Sequence, residues 1–222
     1  MFCGAFVGMS AQAVLSSPTI AMAVGALAGG IGLPFLDARE RGALKGCGGR
    51  LGFVAMLSTA WAWALLHLVG FVTGAQSSSS IRLLSLPSAP PSWAAALLGP
   101  LVGALATKLW IDVLPKLGVR SSRFVAERLG NSVSASSAVS LLACSVGLPA
   151  AWHAPIFTGT FVAMSAMPAV LQSYAHLASA AFAASAAALA LGGSIPFGGR
   201  LGVSAVLGVL AATRVNGIVK HM

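Results

Sequence analysis

Charge is what this sequence has least of. Charged residues make up 8% of its 222 positions, where a soluble domain carries about a quarter. Only four are acids: Asp37, Glu40, Asp112 and Glu127. So few charges cannot cover a water-facing globule. With 57% hydrophobic residues, the surplus apolar surface would aggregate unless it met lipid. The shortage of acids also leaves no paired carboxylates, and neither H-E-x-x-H nor G-x-S-x-G occurs. Cys3, Cys47 and Cys144 are scattered without a C-x-x-C, which suggests neither a zinc site nor a disulfide framework. His67, His153, His176 and His221 lie far apart, with no ligand-like spacing. The expectation is a chain with no catalytic set, no metal and no cofactor. No basic stretch precedes the first apolar run, which therefore does not resemble a cleaved leader.

What the chain does have is long apolar runs, rich in Gly, Ala and Ser, a composition suited to helices packed closely in a bilayer. A span takes about 20 apolar helical residues. Eight segments are expected: Met1 to about Ser16, Ser17 to Leu36, Leu51 to Gly74, Trp93 to Pro115, Asn131 to Leu148, Pro155 to Met167, Leu171 to Leu191, and Leu201 to Val219. The first and sixth are short. Trp61 and Trp63 fall in the middle of the third, where packing against protein is expected. Trp93 opens the fourth as an interfacial anchor. Between the third and fourth lies a linker with four consecutive serines (Ser77 to Ser80) and Pro87, Pro90 and Pro91, too polar and proline-rich to span.

The chain repeats itself. Phe2-Cys3-Gly4-Ala5-Phe6-Val7-Gly8-Met9-Ser10-Ala11 matches Phe157-Thr158-Gly159-Thr160-Phe161-Val162-Ala163-Met164-Ser165-Ala166 in the pattern F-x-G-x-F-V-x-M-S-A. Gly48-Gly49-Arg50-Leu51-Gly52 matches Gly198-Gly199-Arg200-Leu201-Gly202. The offsets are 155 and 150, so the two blocks keep their order and nearly their spacing. Segments one to three correspond to six to eight, with four and five connecting them. The implied organisation is a first membrane repeat over 1–75, a Ser/Pro-rich loop over 76–92, connecting helices over 93–150 and a second membrane repeat over 151–222.

The formal charge of +9 would raise nucleic acid as a partner in a soluble protein. Here the basic residues sit in short stretches between apolar runs and act as topology signals. Arg39, Arg41, Lys45 and Arg50 follow segment two; Lys116, Arg120, Arg123 and Arg128 follow segment four; Arg214 and Lys220 lie at the C-terminal end. If all eight segments span, these fall on one side with both termini, and only Arg82 and Arg200 fall on the other. That puts both termini in the cytoplasm of a multi-pass protein of the cell inner (plasma) membrane, and it inverts the two repeats relative to each other. The competing arrangement makes segments one and six re-entrant, which renders the halves parallel. Inverted repeats are a frequent plan of transporters, with the site at the repeat interface near the midplane.

The expected fold is thus an all-α integral membrane protein of about eight apolar segments: two inverted three-segment repeats joined by two helices. The expected function is a channel or transporter for a small ion or polar solute. Its partners are the lipid bilayer and that solute, with no nucleic acid. The alternative is a non-catalytic subunit of a larger membrane complex. Pairs such as Gly25/Gly29 and Gly99/Gly103 permit self-association or binding of partner subunits. The pathway residues expected at the repeat interface are Phe2, Gly4, Phe6, Met9 and Ser10 with Phe157, Gly159, Phe161, Met164 and Ser165. The same small residues would equally form a helix crossing. Arg50 and Arg200 are expected at two mouths or gates, or as snorkelling side chains at helix starts. Lys108 and Asp112, four apart, share a helix face and form the expected ion pair. Serines of segment five (Ser132, Ser134, Ser136, Ser137, Ser140, Ser145) are candidates for a polar wall. Gly193-Ser194-Ile195-Pro196-Phe197-Gly198 resembles one loop of the membrane acyl-phosphate glycerol-phosphate acyltransferases. That family's further Gly/Asn-rich loops are missing, so the match is set aside.

Overall fold

In the computed structural model the described residues are 18–37, 47–72, 92–113, 131–165, 170–171, 173–191 and 199–220. They form seven helices: α1 (Pro18–Asp37), α2 (Arg50–Val72), α3 (Trp93–Val113), α4 (Ser132–Ser145), α5 (Ala150–Ala163), α6 (Tyr174–Leu191) and α7 (Arg200–Lys220). Among the described residues the fold is all-helical, and two helices, α3 and α6, are long and apolar enough to cross a membrane. The first apolar segment, with Phe2, Gly4, Phe6, Met9 and Ser10, lies outside the described residues, as does most of the Ser/Pro-rich linker.

Local chemistry explains where the helices begin. Asn131 accepts a hydrogen bond from the Ser134 amide at 2.8 Å and caps α4. Ser92 and Ser173 do the same for α3 and α6, accepting from the amides of Ala95 at 3.3 Å and His176 at 3.1 Å. α2 and α7 start differently. Each follows a glycine in the left-handed region, Gly49 at φ 79° and Gly199 at φ 92°, and each has an arginine as its first residue. Only glycine enters that region without a Cβ clash. Pro155 does not open α5 as the sequence suggested. The helix begins five residues earlier, at Ala150, and Pro155 sits within its second turn, where its missing N–H leaves the Ala151 carbonyl without its intrahelical donor.

The chain divides into two compact units. The first joins α1, α2 and the first turn of α7. Val24 and Ala28 of α1 pack on Ala62 and Leu66 of α2. The second unit holds α3 to α6, α7 from Ser204, and the short stretch ending at Gly49. Its core is built around Val162, Leu171, Leu177, Ala180, Ala205 and Val209.

Large and small side chains are distributed inside out. On α3, Leu97, Leu98, Val102, Leu105 and Leu109 are exposed, while Gly99, Pro100, Gly103, Ala104 and Thr107 are buried. Trp61 is 56% exposed, against the expectation that it packs on protein. Its place in mid-segment argued from depth alone, whereas α2 turns that face outward. Two of the buried hydroxyls bond back to their own helices: Thr59 to the Ala55 carbonyl at 2.6 Å, and Ser185 to the Ala181 carbonyl at 3.0 Å. A hydroxyl satisfied this way needs no water.

Candidate functional site

The second F-x-G-x-F-V-x-M-S-A copy runs along α5 and just beyond its end. Phe157 packs beside the cluster of Val139, Ala143 and Ile156, and Phe161 packs on the main core of the second unit. Gly159 is buried against α3: a Cβ there would land on the Pro100 carbonyl and 2.8 Å from the Ala104 amide nitrogen. Gly99 and Gly103 complete the crossing. Their missing side chains admit Pro155 and the Ile156 backbone. The motif's glycine face is therefore filled by a neighbouring helix, as small residues at helix crossings are. Met164 caps the end of α5, half-buried.

Ser165 is buried, and its hydroxyl accepts a hydrogen bond from the Gly48 amide at 2.7 Å. A Cβ on Gly48 would strike the Phe161 carbonyl. The first G-G-R-L-G block thus docks on the second copy of the other motif. Sequence reading identified both motifs without this contact, because nothing in a one-dimensional repeat says which copy meets which.

Within the first unit, the two G-G-R-L-G blocks meet each other. A Cβ on Gly52 would lie 2.9 Å from the Gly202 Cα and 3.2 Å from the Gly199 carbonyl oxygen. A Cβ on Gly199 would strike the Gly52 carbonyl and lie 3.1 Å from the Met56 amide nitrogen. Two helix starts are brought backbone to backbone, a position that brings their positive dipole ends together. Arg200 is exposed at the first residue of α7. The Arg50 side chain and Gly198 lie outside the described residues.

Lys108 and Asp112 form an ion pair at 2.8 Å, half-buried along α3. The Tyr174 hydroxyl, from the first turn of α6, donates to the other Asp112 carboxylate oxygen. Tyr174 was not singled out from sequence, although it is the chain's one tyrosine. Its signal was its place at the start of an apolar segment, where a ring with a polar tip suits an interface. Among the α4 serines, Ser136 is buried and donates to the Thr160 hydroxyl on α5 at 2.9 Å, Ser145 bonds back to the Leu141 carbonyl at 2.8 Å, and Ser137 is exposed. His176 is buried; the His67 side chain is outside the described residues. Among the described residues no three His, Cys, Asp or Glu side chains gather as a metal site.

The chain matches no protein family, no curated protein and no solved structure.

Proposed function

We propose that the chain is a multi-pass membrane channel or transporter that moves a small ion or small polar solute along the interface of its two repeats, and that it is not an enzyme; the side-by-side starts of α2 and α7 favour the arrangement in which the halves are parallel over the inverted one. The observation that carries this reading is the meeting of Gly52 with Gly199 and Gly202, which joins the same repeated block from the two halves of the chain. Paired helix starts at a repeat interface are the arrangement by which transporters present dipole ends to a solute. Arg200 beside them adds positive charge, which favours an anion or the anionic end of a solute.

The membrane setting is supported by the inside-out distribution of side chains and by the ends of α3. Trp93, at its start, is 66% exposed. Trp110 and the Lys108–Asp112–Tyr174 cluster stand at the other end, roughly 25 Å away by helix rise, close to the thickness of a bilayer core. The basic stretches after the second and fourth segments favour a cytoplasmic side for those two loops in a cell inner membrane.

The deciding experiment is flux through liposomes containing the purified chain, measured for Na⁺, K⁺, Cl⁻ and H⁺ and for neutral solutes. Arg200→Glu, with its helical circular dichroism matched to wild type, is the comparison, because the side chain is exposed beside the paired helix starts. Anion flux that Arg200→Glu suppresses supports the reading. No flux of any solute from folded protein refutes it.

The second reading, a non-catalytic subunit of a larger complex, is favoured by α1. Gly25, Gly29 and Gly30 have no atom within 4 Å of the space a Cβ would fill. A stable, monodisperse chain in detergent without partners would count against it.

A further inference from the structure

We draw no further inference here: the strongest candidate, the apolar groove along α3 walled by α4 and the start of α5, carries nothing because nothing among the described residues shows what covers it.

Discussion

The Gly48 amide donates to the Ser165 hydroxyl at 2.7 Å across 117 residues of sequence. Gly48 opens the first G-G-R-L-G block and Ser165 nearly ends the second copy of the longer motif, so the repeated elements engage crosswise. Both groups are buried, and the amide has no water to turn to if the hydroxyl is lost. Ser165→Ala should therefore cost about 1–3 kcal/mol, read as a lower midpoint in denaturant unfolding of the detergent-solubilised protein. Ser137→Ala, at an exposed position, should stay within about 0.5 kcal/mol of wild type. Equal effects at the two sites would remove the clasp from the argument.

Glycines at filled and open positions should respond oppositely to the same change. Gly159→Ala drives a methyl into the Pro100 carbonyl and should destabilise by about 1–3 kcal/mol or more. Gly29→Ala meets nothing and should stabilise its helix by up to about 1 kcal/mol. Unfolding midpoints of the two variants check the sign. A Gly29→Ala protein that loses stability or changes its oligomeric state would show that α1's open face is covered by a partner.

Backbone strain and steric exclusion can be separated. Gly147 has φ 73° with free space around it, and Gly199 has φ 92° with the Gly52 carbonyl in its way. Gly147→Ala should lose only the conformational term, about 1–2 kcal/mol. Gly199→Ala adds the clash and should lose distinctly more. If the two variants unfold together, the close approach of the two blocks is not a tight one.

Asp112 serves two partners, but at an exposed edge. Its side chain is 31% exposed, and Tyr174 is exposed as well. A double-mutant cycle of Asp112→Asn with Tyr174→Phe should give a coupling of no more than about 1 kcal/mol, diminished further by salt. A larger coupling that salt leaves unchanged would mean the cluster is shielded from water, as a neighbouring subunit would do.

Topology can be tested on the native thiols. On the proposed topology α4 runs outward, so Cys144, exposed near its end, should react with a membrane-impermeant maleimide added outside intact cells. Cys47 should react only after permeabilisation, with Cys3→Ser removing the third thiol. Labelling of Cys47 from outside would reverse the orientation.

Helix placement was largely legible from sequence, because long apolar runs bounded by Ser, Asn, Gly and Pro leave few alternatives. α1 to α4 and α6 to α7 fall within about three residues of the expected bounds. α5 did not, since Pro155 resembles a start signal wherever it stands in a first or second turn. The outward turn of Trp61 was not legible, because near-uniform hydrophobicity around α2 gives no stripe from which to read a face. The same holds for the site. Glycine pairs announced close approach but not the partner, so the contact of Gly52 with Gly202 and the reach of Tyr174 to Asp112 needed three dimensions.

The crossing of α3 on α5, lined by glycine and alanine, has a thermodynamic side beyond fit. Alanine and glycine surrender no rotamer freedom on burial, whereas leucine loses about 0.5–1 kcal/mol. Closing α3 on α5 at Gly99, Gly103 and Gly159 therefore freezes little side-chain motion. The leucines Leu97, Leu98, Leu105 and Leu109 of α3 stay exposed, where their disorder persists after folding, so this crossing forms with its entropy largely unspent.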